Sequence, residues 1–405
     1  MREEKLTRRR LLQSAAAGAA LGTWGFPVRP ASAAPAQTDL KILEPISGAV
    51  LNHRHGRQTG DGLTIRLVGL ARRGDHVTVN DAACRVEGTR FEGEVVLRQP
   101  ETDLVAAAEG AGPSRQDRVR VVWDRYSEPR YRFSIDDNSF FLRDIAQKNY
   151  RSLFDCFYLK MLRDLHAKYG AKFSVNIFYT AADDAKAATA TDFRISRFPD
   201  RYKGQWRDNS HWLKLAFHAY GNMPDRPYQD VPPERLLADL DLVAAEIRRF
   251  AGEEAYAPPT VIHWGMTRRA ALAPLFGRGV RALSGNFVNH GGGWDINYRW
   301  DDAHSEYLSR HNAWKDFESG IVFSRIGIVC NNVPLERIAA VLEPLAKDPN
   351  TAEIMDLFTH EQYFWPFYFH YVPDHAQRVD RAIRWVTEHG YQPVFFHEGL
   401  LGGRV

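Results

Sequence analysis

Polar residues stand where several apolar runs end. Phe133-Ser134-Ile135 leads into Asp136 and Asp137, and Leu213–Phe217 leads into His218. Thr260–Ile262 is followed by His263, Ile354–Thr359 by His360 and Glu361, and Glu398 closes the run Gln392–Phe396. Carboxylates and imidazoles are the oxygen and nitrogen donors that hold Zn²⁺ and related divalent cations. They are also the usual groups for moving protons near neutral pH. Any one of them alone reads as a satisfied buried histidine or a turn aspartate. Five separate strands ending in Asp, His or Glu point instead to one catalytic metal site.

The elements that must position these residues are legible as a change of pattern near residue 130. From there to residue 405, short apolar runs alternate with longer helical stretches. The predicted strands are Tyr131–Ile135, Lys172–Tyr179, Leu213–Phe217, Thr260–Ile262, Ala282–Asn286, Gly320–Val329, Ile354–Thr359 and Gln392–Phe396. Helices are predicted over Ser152–Tyr169, Pro233–Ala251, Thr267–Gly277, Leu335–Ala346 and His375–His389. This alternation predicts an α/β fold, a distorted (β/α) barrel whose C-terminal strand ends line the active site. Residues 38–125 read differently. Leu63–Val68, His76–Val79, Arg90–Leu97, Thr102–Ala106 and Val119–Trp123 are short alternating segments separated by Gly, Asp and Asn. They predict a small all-β, immunoglobulin-like sandwich before the barrel. A packing partner for the barrel is its simplest role.

The ordered set of strand endings resembles a known family. Phe133-Ser134-Ile135-Asp136-Asp137, Phe217-His218-Ala-Tyr-Gly-Asn222 and Leu357-Phe358-Thr359-His360 are similar to three motifs of the polysaccharide deacetylases. This is the NodB-homology group, carbohydrate esterase family 4, and the likeness covers residues 131–398. It implies a barrel of the glycoside hydrolase and deacetylase type. It also implies a divalent metal, zinc first, and removal of acetyl groups, N- or O-linked, from a polysaccharide or oligosaccharide. By this resemblance Asp136 is the general base, Asp137 and His218 are metal ligands, and His360 is the general acid, with Glu361 beside it. The chain departs from the family pattern in two places. Asn222 stands where a second histidine is expected. The family's Arg-x-Pro-Tyr motif has no match, since Arg226-Pro227-Tyr228 lies too early and Ile262-His263-Trp264-Gly265 occupies its place. The third ligand is therefore one of Asn222, Asp225 or His263. Glu361 and Glu398 are candidates to hold the imidazoles.

Aromatic residues cluster in sequence around these motifs. Trp264, Tyr363, Phe364, Trp365 and Tyr368 follow the strand ends, and Trp294, Tyr298 and Trp300 follow Gly291-Gly292-Gly293. Trp264, Tyr228, Trp294 and Trp365, with Glu398, are the candidate substrate-binding residues, because flat rings stack on sugars. Phe364 and Tyr368 read better as core. Two rival functions use the same residues. A glycoside hydrolase would pair Asp136 or Asp137 with Glu361 or Glu398 and leave the histidines unused. A glycan-binding envelope protein without activity would tolerate Asn222 in place of a histidine.

The N-terminus reads as an export signal. Thr7-Arg8-Arg9-Arg10-Leu11-Leu12-Gln13 precedes an Ala- and Gly-rich run, Ser14–Trp24, and Ala31-Ser32-Ala33 supplies a small-x-small cleavage site. The paired arginines point to the twin-arginine machinery, with residues 1–33 as the signal and a periplasmic or extracellular destination. The run is shorter than the roughly 20 apolar residues of a membrane span. Residues 1–33 hold six basic and two acidic side chains, so the remainder is close to neutral. That excludes the strongly basic footprint of a nucleic-acid-binding protein. Cys84, Cys156 and Cys330 are too few and too scattered for a disulfide framework or a zinc–thiolate motif.

Overall fold

The computed structural model describes residues 40–110, 112–181 and 193–401. The predicted signal at 1–33 lies outside the described residues.

Residues 40–123 form two sheets. One is built on strands β1 (Leu40–Glu44), β2 (Gly62–Ala71) and β3 (Arg90–Leu97), and the other on β4 (Glu101–Glu109) and β5 (Arg115–Trp123), with shorter strands at the edges. The long pairings are antiparallel, and short strand Val50–Leu51 joins β5 in parallel. Side chains alternate across each strand. In β2, Leu63, Ile65 and Leu67 are buried while Arg66 is exposed; in β4, Leu104, Ala106 and Ala108 are buried. Both sets point into one apolar cluster, which also holds Phe91, Val121 and Trp123.

The remainder is mixed α/β with a parallel sheet. Strand β6 (Arg130–Asn138) is its centre. It pairs with β7 (Phe173–Phe178) on one side and with β12 (Ile354–His360) on the other; β8 (Leu213–Ala219) extends the β7 edge and β11 (Ile328–Val329) the β12 edge. Every residue of β6 and β7 is buried, as expected of parallel strands covered on both faces. The covering layer includes helices α1 (Phe140–Lys148), α2 (Phe157–Tyr169), α3 (Pro233–Phe250), α4 (Ile338–Lys347) and α5 (His375–Glu388). A second parallel pair, β9 (Ala282–Gly285) and β10 (Val322–Arg325), carries a short antiparallel edge strand, Trp314–Lys315.

Three predicted strands differ in the structure, each for a backbone reason. Thr260–Ile262 forms no ladder. Pro258 and Pro259 precede it and have no N–H to donate, and the segment is tied only by single bonds such as Ser284 N to Thr260 O at 2.8 Å. Gly320–Val329 breaks into β10 and β11 because the chain changes partner: Ile326 N bonds Gly285 O, and Gly327 N bonds Asp356 O. The last strand, β13 (Gln392–Pro393), pairs only with Arg130 and Tyr131 at the start of β6 and then turns away. The parallel strands therefore form two ladders joined by isolated hydrogen bonds.

A buried ion pair within the first ladder faces that seam, and its bonds to Ser284 and Thr260 cross it. Arg132 on β6 donates from Nε to Asp356 Oδ1 at 2.6 Å and from Nη2 to Oδ2 at 3.2 Å. Ser284 Oγ on β9 donates to Asp356 Oδ2 at 2.6 Å, and Arg132 Nη1 reaches Thr260 Oγ1. Both charged side chains are fully excluded from solvent. Burial raises the Asp356 carboxyl above its ordinary range, and Arg132 and Ser284 oppose that.

Candidate metal centre

Asp136 and Asp137 close β6, and the backbone turns there: Asp137 has φ of +59°. Successive side chains of a regular strand face opposite ways. The positive φ at Asp137 lets both carboxylates serve one site. His218 lies near the end of β8, and His263 follows the extended segment after Pro259. Asp137, His218 and His263 bring one donor atom each to within 4.8 Å of one another, and all three are buried.

The donor atoms converge. His218 Nε2 lies 3.1 Å from Asp137 Oδ1 and 2.9 Å from His263 Nδ1, and His263 Nδ1 is 3.4 Å from the same carboxylate oxygen. Two ring nitrogens and a carboxylate oxygen facing one point form a set that suits a divalent cation. Their outer atoms are held elsewhere. Gln362 Nε2 donates to Asp137 Oδ2 at 3.0 Å, and His263 Nε2 faces the backbone oxygen of Asn222 at 3.3 Å. Such partners fix ring orientation and tautomer. The ring of Phe178 packs on both imidazoles, with centroids 5.2 and 5.1 Å away.

Electrostatics follow the geometry. Burial works to raise the Asp137 carboxyl, but the His218 hydrogen bond and the charges of His263 and His360 outweigh it and hold the group well below the usual range. For His218, burial disfavours the charged ring, while the charge of Asp136 and the bond to Asp137 raise its pKa overall.

Asp136 is beside this cluster. Its Oδ1 accepts from Asn176 Nδ2 at 2.6 Å and from Ser134 Oγ at 3.2 Å, and its Oδ2 is 3.8 Å from His218 Nε2. His360 lies across from Asp136 in the β6–β12 register. Its Nδ1 faces Asn331 Oδ1 at 3.0 Å, and Thr359 Oγ1 and His375 Nε2 continue this chain at 3.2 and 2.9 Å. Burial lowers the His375 pKa to about 3, so its ring is neutral.

The other predicted residues are placed as follows. Glu361 is fully buried and caps α1: its carboxylate accepts from the backbone N–H of Ser139, Phe140 and Phe141 at 2.7, 2.9 and 2.6 Å, and from the Trp365 indole at 3.1 Å. Burial pushes this carboxyl up to about 7, against the pull of those donors. Both oxygens are thus engaged at the helix start, and Glu361 orients α1 where a reacting carboxylate was expected. Trp365 is buried against Phe140 and Phe157 instead of facing substrate. Tyr228 is also core: its hydroxyl bonds Tyr220 N and Asp239. Glu398 is exposed and near Lys214, at the start of β8, so it lies at the opposite end of the strands from His218. The early end of β13 removes it from the site. Asn222 meets His263 through its backbone oxygen, and Asp225 is exposed and outside the cluster. Trp264 adjoins His263, and the Arg226 guanidinium lies 4.7 Å from its ring centroid. Trp294 lines a separate cavity.

Asn176, Gln362 and Asn331 are the contacts that motif reading missed. A signal existed for Asn176, a lone amide inside the apolar run Phe173–Phe178. Glu361 yields a separate prediction. Glu361→Ala leaves three buried N–H groups without their acceptor and is expected to destabilise the fold by about 3 kcal/mol. Urea denaturation checks this, and an unchanged midpoint would refute the capping role.

Among the described residues, no helix is long and apolar enough to cross a membrane. No family model and no curated protein matches the sequence. Solved structures that resemble it include a family 4 acetyl xylan esterase from Clostridium thermocellum in complex with a cobalt ion, at 11% identity and a TM-score of 0.32, covering 66% of this chain and 88% of that one. A family 123 glycoside hydrolase from Clostridium perfringens matches at 9% identity and a TM-score of 0.28, over 84% of this chain and 82% of that one. A chimeric titin Z1Z2 matches over 22% of this chain and 96% of its own length, at 8% identity and a TM-score of 0.16. These scores carry no argument about activity, and the functional reading rests on the site itself.

Proposed function

We propose that the chain is a metal-dependent hydrolase that removes acyl groups, acetyl first, from a carbohydrate. The observation that carries this reading is the buried convergence of Asp137, His218 and His263, with Asp136 beside it and His360 across the strand pair. Asp137 Oδ1, His218 Nε2 and His263 Nδ1 would hold the cation, with zinc as the expected ion. A divalent cation held there supplies Lewis acidity at the acyl carbonyl and acidifies a water toward a pKa of about 7.

The chain's own groups do the rest. Asp136 Oδ1 is fixed by Asn176 and Ser134, so Oδ2 accepts the proton of the attacking water as its oxygen bonds the acyl carbon. His360, oriented by Asn331, donates a proton to the leaving oxygen or nitrogen as the acyl bond breaks. The products are the free carboxylic acid and the unmasked hydroxyl or amine. Trp264, next to His263, is the aromatic residue best placed to meet a sugar ring. Export by the twin-arginine route to the periplasm or beyond, and a barrel preceded by an immunoglobulin-like sandwich, belong to the same proposal.

The placement of the carboxylates favours acyl transfer over glycoside hydrolysis. A glycosidase needs a second free carboxylate about 5–10 Å from the first, but Glu361 is engaged at α1 and Glu398 is at the other end of the strands. The test is elemental analysis of the purified chain beside the Asp137→Ala, His218→Ala double variant. About one divalent metal per chain, lost in the double variant, is the expected result, and acetate release from acetylated glycans should follow the metal. No metal in either protein after supplementation would overturn the proposal.

A further inference from the structure

A cavity of about 430 Å³ lies apart from the metal centre. Its lining includes Asn286, Asn289, Trp294, Ser309 and Arg325, and neither Asp136, Asp137, His218, His263 nor His360 is among the residues that line it. The size falls within the roughly 300–1,000 Å³ of small-molecule pockets. The wall also includes Val329, and Asn331, two residues further on, holds His360.

The polar character of the cavity is one-sided. Arg325, the last residue of β10, is half-buried, and no described residue forms an ion pair or a hydrogen bond with its guanidinium. Burial lowers its pKa, and only the charge of Asp348 opposes this. Among the described residues, no carboxylate lines the cavity. Of the other polar side chains, Asn286 and Asn289 carry amide NH₂ groups that can donate, whereas Ser309 Oγ already donates to Glu306 O at 2.7 Å. The Asn289 amide oxygen already accepts from Gly291 N at 2.8 Å, which leaves its NH₂ for another partner. A partly desolvated cation with no carboxylate in direct contact is unfavourable, and an entering anion relieves it. A guanidinium matches the planar fork of a carboxylate in two parallel hydrogen bonds. The Trp294 ring in the same wall offers an apolar face to a pyranose.

We propose that this cavity is a saccharide subsite selective for a sugar bearing a carboxylate, with Arg325 on the carboxylate and Trp294 on the ring. The substrate class of the hydrolase is then an acylated, uronate-containing glycan, an assignment that rests on the acyl-hydrolase reading. The subsite itself is tested by binding alone.

The test is calorimetric titration of the metal-loaded full chain with galacturonate oligomers and a glucuronate-containing oligosaccharide, each beside its carboxyl-reduced neutral form. At least tenfold tighter binding of a carboxylate form is expected. Arg325→Gln should abolish that preference with metal content unchanged, Arg325→Lys should keep part of it, and Trp294→Ala should weaken both forms. Equal binding of the paired forms, no binding of any, or an Arg325→Gln variant that keeps the preference would overturn the subsite and leave the metal result standing. Displacement of the oligosaccharide by equimolar sulfate would reassign the cavity to simple oxyanions and overturn the saccharide proposal. A wild-type chain that takes up no metal after supplementation but keeps the selective binding would overturn the hydrolase reading alone.

Discussion

Replacing Asp136 by Asn is expected to leave metal content at the wild-type level and to lower kcat on an acetylated glycan by about 10²–10⁴-fold. The substitution is nearly isosteric. An amide oxygen in the Oδ1 position still accepts from Asn176 Nδ2 and Ser134 Oγ, so the local packing survives. What disappears is the oxygen that can take a proton. Asp137, by contrast, lends its Oδ1 to the two imidazoles, and its replacement should remove metal and activity together. Steady-state kinetics with elemental analysis on the same preparations separate the two roles. Should Asp136→Asn keep full kcat, the base lies elsewhere. Should it lose metal, Asp136 is a ligand and the assignment of the two aspartates is reversed.

The largest effect on stability is expected at Asp356. Asp356→Ala leaves the Arg132 guanidinium inside the fold with neither solvent nor counter-ion, and removes the acceptor of Ser284 Oγ. Breaking a buried pair from one side destabilises by about 3–5 kcal/mol. The pair joins β6 and β12, and the bond from Ser284 on β9 to Asp356 crosses the seam where the two ladders are joined by isolated bonds. The loss should therefore lower the urea midpoint and loosen the metal centre above it. Substituting both partners by apolar residues, Arg132→Met with Asp356→Leu, should recover most of the stability, because no charge is left unpaired. A loss below about 1 kcal/mol in the single variant would mean that Arg132 finds another partner or reaches water.

The candidate metal residues stood out in the sequence because metal chemistry at strand ends leaves a local trace. Asp136-Asp137, His218 and His360 interrupt apolar runs at the points where β6, β8 and β12 end. Period and residue type suffice to notice that. His263 was visible for the same reason, although its strand does not form. Proline removes the donors a ladder needs, yet the chain still delivers the imidazole. The choice among Asn222, Asp225 and His263 was not visible, since it depends on which loop folds back over β8.

Only the tertiary structure separates the two glutamates from the site. Glu361 follows His360 directly, but its carboxylate turns to the start of α1, more than two hundred residues away in sequence. Glu398 fails because β13 stops after two residues at the start of β6 and a short turn, Phe396–Glu398, follows it. Trp365 and Tyr228 look the same in sequence as a stacking platform; their indole and hydroxyl partners, Glu361 and Asp239, mark them as core. Asn176, Gln362 and Asn331 reach Asp136, Asp137 and His360 through strand register and turn geometry, over 40, 225 and 29 residues. Sequence periodicity reports which face of an element is apolar. It does not report which distant element that face meets, and hydrogen-bond partners are chosen at that meeting.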